Sequence, residues 1–451
     1  MRRPVYHNQV LAHNPSSDST HNRAAHSRAG VARKCSHVHR LLLLDSRPMA
    51  TGAQKQPKRI IRTGPLLFGF ALSQLRFLHP LMPDRLRYQL PLSWTPHMLR
   101  TFLGSGRKRV YIDVHTRLNL PSSYAPRAES PPEHRLSPDE IRSFWERGFS
   151  GPHTLLPPEE MGKLAKHMWS LWDKPSSTYP PGSYKYVGST QASGDATEMS
   201  NEDYATKGLN ARDKHLEDGA LLDLYAHPAI VERIAQLLGP DLLLWRSQFF
   251  PKYPGMGGTG WHQATSYLNE TMRVATLTPP HLDELFQLTV WIAVTDSTLE
   301  NGCLRMIPGT HRELLPMSVE EYDPVKHAAN KSDRFGTKIL RPSDAINEGD
   351  AVNLVMKAGE FIIFSERVMH GALPNITSND ARLGMSGRYI VPGVRVHNPL
   401  VLGDAGLTIS YLRIQQLKLD RWRPIVVRGN DTAHGNGDRV LRYKPGMVVN
   451  P

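Results

Sequence analysis

Cysteine is almost missing from this chain. Cys35 and Cys303 are the only two. They lie far apart, in segments of different character, so neither a disulfide framework nor a thiolate zinc site can be built from them. A reducing compartment is the natural setting, and the sequence reads as cytoplasmic. Long apolar runs are missing as well. A bilayer span needs roughly 18 apolar residues in a row, and the nearest approach, PLLFGFALSQLRFLHPLMP at 65–83, is interrupted by Gly69, Arg76, His79 and Pro80. It reads as a packing or interfacial segment, and membrane association is not expected.

Acidic residues are scarce, but only at one end. Residues 1–110 hold 19 Lys and Arg against Asp18, Asp45 and Asp84, whereas the remainder holds 36 basic and 39 acidic residues. The formal net charge of +13 therefore belongs to the N-terminal stretch, and the body has no basic balance of its own. Nucleic-acid binding is excluded as the main activity.

What is present falls into four stretches. Residues 1–60, rich in Arg, His, Ser and Asn and without hydrophobic period, read as a disordered or targeting extension of mitochondrial-like charge, or as a start placed ahead of Met49. Residues 61–134 are a poorly defined basic and apolar segment ending in the Pro/Ser linker SSYAPRAESPPEHR. A catalytic domain is expected over 135–425, followed by a tail at 426–451. The domain opens with helix signals: Ser137, Pro138 and Glu140 form a capping box ahead of Ile141, Phe144 and Trp145, and LPPEEMGKLAKHMWSLW and HPAIVERIAQLLG repeat the helical period. From 240 onward the runs are short and β-rich, as in LLLWRSQFF, FQLTVWIAV, EFIIF and RLGMSGRYIV, with Gly/Pro/Asn turns between them. The fold class is α+β, with N-terminal helices packed on an antiparallel jelly roll.

The chemistry sits in two histidines and a strand of alternating arginines. Non-haem Fe(II) oxygenases hold the metal on one face with two His and one carboxylate, usually as His-x-Asp/Glu followed by a distant His. Here His262 opens HQA and His370 follows in FSERVMHGALPN, yet the position two after His262 is Ala264. Arg382, Gly384, Ser386 and Arg388 alternate and so share one strand face. Two guanidinium forks beside small residues suit an anion inside a barrel, such as the distal carboxylate of 2-oxoglutarate.

The blocks WRSQFFPKYPGMGGTGWHQATSYLN, LTVWIAVTDSTLENGCLRMIPGTHR, KAGEFIIFSERVMHG and ARLGMSGRYIVP resemble the phytanoyl-CoA dioxygenase superfamily, and within it the Fe(II)/2-oxoglutarate halogenases. That resemblance implies a double-stranded β-helix and metal ligands His262 and His370. It implies a 2-oxoglutarate site of Arg382, Thr259 and Trp291, with chloride in the vacancy at Ala264 and Asn269 and Arg388 near the halide. Fe(II) with two neutral imidazoles and a 2-oxoglutarate dianion is neutral, so the absent carboxylate leaves both a hole and a missing charge that a halide can fill. The implied reaction uses O₂ and an Fe(IV)=O to take hydrogen from an unactivated aliphatic carbon, which then receives chlorine rather than hydroxyl. The substrate class is a small molecule or an acyl or aminoacyl group tethered to a carrier protein. Gln248 and Tyr267 depart from the halogenases, which carry Glu and Phe there. Two alternatives stay open: a hydroxylase whose carboxylate comes from Glu270, Asp283 or Glu284, and an inactive binding barrel. The loop 185–210 is a candidate lid.

Overall fold

The computed structural model describes residues 63–83, 94–111, 118–187, 201–263, 276–321, 334–335, 338–342, 346–398, 406–409 and 412–451. Among the helices that pack on the core are α1 (Pro138–Arg147), α2 (Pro158–Asp173) and α3 (Pro228–Leu238). The capping box forms as the sequence predicts, with Glu140 N donating to Ser137 Oγ at 3.2 Å and Ser137 N donating to Glu140 Oε2 at 2.7 Å. Gly148 then stops α1 at φ 92°, a conformation a side chain rarely adopts.

Two of the sheets among the described residues build the β-rich core. The strands are β1 (Phe149–Thr154), β2 (Leu242–Lys252), β3 (Thr259–His262), β4 (Gln287–Ala293), β5 (Leu304–Ile307) and β6 (Val352–Leu354). They continue with β7 (Glu360–Phe364), β8 (Met369–Ala372), β9 (Arg382–Ile390), β10 (Ile425–Arg428) and β11 (Leu441–Arg442). The major sheet runs β1-β7-β4-β9-β2-β10-β11 and the minor sheet runs β6-β5-β8-β3. Pairings are antiparallel throughout except β10 with β11. From β2 to β9 the chain passes back and forth between the sheets, which is the double-stranded β-helix expected for the catalytic half.

Period-2 alternation in the central strands of the major sheet decides what each face meets. Val290, Ile292, Phe361, Ile363, Leu383 and Met385 point to the large core shared with Ile230, Ile234 and Leu238 of α3. Trp291, Ala293, Ile362 and Phe364 point the other way, into a second core with Met306, Leu354 and Met356. At roughly 1.5–3 kcal/mol per fully buried large apolar side chain, each face is fixed far too strongly for a one-residue slip of register.

Three boundaries differ from the sequence reading. The stretch 426–451 is not a tail: β10 hydrogen-bonds β2, and β11 pairs with β10. The Pro/Ser linker packs on the body, with Ser130 buried and Arg127 stacked 5.1 Å from the Trp145 ring. Of the candidate lid, Asn201–Asn210 is a helix whose Ala205 and Leu209 enter the large core, while residues 188–200 lie outside the described ones. No helix among the described residues is long and apolar enough to cross a membrane.

Candidate metal centre

His262 ends β3 and His370 lies in β8, and the two are direct cross-strand partners in the minor sheet. Their ring centroids are 4.2 Å apart. Histidines 108 positions apart in sequence are therefore neighbours because two strands pair in one register. Each ring is oriented by its own backbone: His262 Nδ1 donates to Gly260 O and His370 Nδ1 to Val368 O, both at 2.8 Å. A carbonyl only accepts, so the proton sits on Nδ1 and Nε2 is left as the ligating nitrogen in both rings. Burial pushes the His262 imidazole below its ordinary range, and burial followed by His262 itself pushes His370 well below it. Neutral imidazoles are what a divalent metal requires.

The residue after His262 fixes the strand end. Gln263 Nε2 reaches Thr310 O, Glu313 O and Arg367 O at 3.0, 2.9 and 2.6 Å, and its Oε1 accepts from Leu315 N at 2.8 Å. Phe364 of β7 packs edge-on against His370, with ring centroids 5.2 Å apart. Ala264, Tyr267, Asn269 and Glu270 fall among residues 264–275, outside the described ones.

Among the described residues no group of three His, Cys, Asp or Glu side chains is placed to hold a metal. Of the acids that could complete a triad, the two described ones, Asp283 and Glu284, are not grouped with the histidines. Asp283 accepts from Asn119 Nδ2 at 2.7 Å, and Glu284 is exposed beside Arg127. Glu366, four residues before His370, is buried and accepts from Arg388 Nε, Gln287 Nε2 and Thr289 Oγ1, the last at 2.6 Å. A two-imidazole donor set oriented through Nδ1 fits Fe(II) with several positions left for exogenous ligands.

The inner face of β9 supplies the cations. Arg382 is 2% exposed, with Nη2 donating to Gly302 O at 2.7 Å and Nη1 to Phe250 O at 3.4 Å. Its guanidinium lies 5.2 Å from the Trp291 ring. The indole sits over Gly384, where any Cβ would overlap Trp291 Cζ2, so Gly384 is a seat for the ring. Thr259 faces Ala372 across β3 and β8. Arg388, at the other end of β9, pairs with Glu366 and is close enough to both histidines to lower their proton affinity.

The structure thus brings together His262 and His370, Arg382 with Trp291, and Arg388 beside the imidazoles. Two residues of the site, Glu366 and Lys252, escape the sequence reading. The first is an acid four residues before a proposed ligand, in the turn at 365–368 between β7 and β8, and the second shares the alternation of Gln248 and Phe250.

The family model for Phytanoyl-CoA dioxygenase (PhyH) matches residues 144–383. Dioxygenase lolE1 of Epichloe uncinata is 27% identical over 175 residues, which is 37% of this chain and 53% of that protein. The chain thus matches about half the length of that relative. Ectoine dioxygenase of Nocardia farcinica is 22% identical over 272 residues, covering 58% of this chain and 80% of that one. A solved structure described as CytC3 with Fe(II) and alpha-ketoglutarate is 28% identical, with 70% of this chain and 98% of that chain covered and a TM-score of 0.48.

Proposed function

The chain belongs to the phytanoyl-CoA dioxygenase family and is an Fe(II)/2-oxoglutarate-dependent oxidoreductase, and from that premise we propose that it halogenates an unactivated aliphatic carbon. With O₂, the bound iron and 2-oxoglutarate supply the oxidising power that removes a hydrogen atom from such a carbon. The residues do the rest. His262 and His370 hold the metal through Nε2. Arg382 grips the distal carboxylate of 2-oxoglutarate, Trp291 walls that site, and Thr259 donates at its rim. The methyl of Ala264 leaves room for chloride, with Asn269 and Arg388 beside it.

What supports this reading is the pairing of His262 with His370 across β3 and β8, ring centroids 4.2 Å apart, together with Ala264 in the sequence at the second position after His262, where a His-x-Asp/Glu site carries its carboxylate. A carboxylate ligand would bring a charge that two imidazoles do not. The Arg388 guanidinium stands close enough to both imidazoles to lower their proton affinity, a positive field that favours an incoming anion. The substrate class we propose is a small molecule or an acyl or aminoacyl group on a carrier protein.

A hydroxylating reading has its own support, because the relatives named above are dioxygenases. The two readings part on chloride. Purified protein supplied with Fe(II), 2-oxoglutarate, O₂ and a panel of acyl and aminoacyl substrates should give chlorinated product and chloride-dependent consumption of 2-oxoglutarate. Hydroxylated product at the same rate with and without chloride would establish the other reading.

A further inference from the structure

We propose that Lys252 is a second cation for the distal carboxylate of 2-oxoglutarate, so that Arg382 and Lys252 close on the anion together; this rests on Arg382 being the clamp. Lys252 ends β2 directly opposite Arg382 of β9. Both side chains are buried, at 5% and 2% exposure. Two adjacent cations out of water are costly unless an anion joins them. Among the described residues both donate to backbone carbonyls rather than to an acid: Lys252 Nζ to Leu373 O, and Arg382 to Gly302 O and Phe250 O. Asp380, on the turn before β9, accepts from Asn301 Nδ2 at 2.8 Å instead.

The surroundings hold the ammonium in place. Gly302 turns at φ +91°, and a Cβ there would stand 2.5 Å from Lys252 Cδ, so the turn is pressed onto the lysine stem. Leu373, which accepts the ammonium, follows Ala372, the cross-strand partner of Thr259. Two buried cations and the Trp291 indole therefore collect around the Gly302 turn, a donor set that suits a carboxylate.

Burial and then Arg382 push the Lys252 ammonium down to about 7, and the neighbouring Cys303 thiol, itself pushed up by burial, stays neutral. A bound carboxylate would favour the charged form, so anion affinity should be greatest below pH 7 and fall as the pH rises through it.

The test is calorimetric binding of 2-oxoglutarate to the full chain loaded with Mn(II), from pH 6.5 to 8.5. Lys252→Met should weaken binding roughly 30-fold at pH 6.5, and Arg382→Met at least as much, since truncating one member of a buried charge contact costs 2 kcal/mol or more. Lys252→Arg should keep the affinity and lose the decline with pH. If Lys252→Met binds as the parent does while Arg382→Met does not, Lys252 has no part in the site and the Arg382 clamp stands. If neither variant weakens binding, the clamp reading fails and the proposal with it. Unchanged pH dependence in Lys252→Arg would also overturn it.

Discussion

Arg382 and Arg388 lie on the same face of β9, both buried, six positions apart, and they are provided for in opposite ways. Arg388 has a carboxylate of its own: Glu366, which is further held by Thr289 and Gln287. Arg382 has backbone carbonyls and an indole; each arginine faces a further cation across β2 and β9, Lys252 opposite Arg382 and Arg246 opposite Arg388. A buried charge with a built-in counter-ion is an orienting and field-shaping element. One given only dipoles keeps its charge for something that arrives. The same strand thus carries one arginine with a built-in carboxylate partner and one whose described partners are backbone carbonyls and an aromatic ring.

The contrast breaks most readily through truncation. Arg388→Met leaves Glu366 buried without its cation and should cost about 3–5 kcal/mol of stability, read as a lowered urea midpoint. Arg382→Met strands no acid and should leave that midpoint at or above the parent value. Equal losses in both would erase the distinction. A pH titration of stability sharpens it at the Arg382 end. The Lys252 ammonium titrates at about 7 when folded, against 10.5 ordinarily, so between those values the unfolded chain binds a proton that the native one does not. Stability should therefore rise by roughly 2 kcal/mol from pH 7 to 9 in the protein free of 2-oxoglutarate, and Lys252→Met should flatten that rise. The smallest effect concerns the wall between the two ends. Gly384→Ala forces the Trp291 ring off its seat and should cost about 1–3 kcal/mol, together with weaker 2-oxoglutarate binding measured by calorimetry.

Much of this is legible in the amino-acid sequence. Local signals place α1 with its capping box, α3 with Gly239 after it, and β2, β4, β7 and β9 to within two residues of their bounds. The alternation of Arg382, Gly384, Ser386 and Arg388 marks their common face. Register stays hidden, because it joins segments more than a hundred residues apart: Lys252 opposite Arg382, and His262 opposite His370, are facts about pairing and carry no mark in either segment. The Glu366–Arg388 pair is hidden for a similar reason, since nothing local says which acid a strand arginine will meet. The chain end reads as a tail because β10 and β11 span only four and two residues, too short for a period to register, although their backbone hydrogen bonds complete the major sheet. The 118–134 stretch has loop composition and is ordered by contacts such as Leu118 N to Arg312 O at 2.9 Å.

We propose above all that the ferrous centre on His262 and His370 takes chloride, the sequence having Ala264 where a His-x-Asp/Glu site has its carboxylate. The most direct test is an anaerobic chloride titration of the visible absorption of the Fe(II)–2-oxoglutarate protein, in the parent and in Ala264→Asp. A saturable spectral shift in the parent and none in the variant is the predicted outcome. No shift in the parent, or the same shift in both proteins, would contradict it.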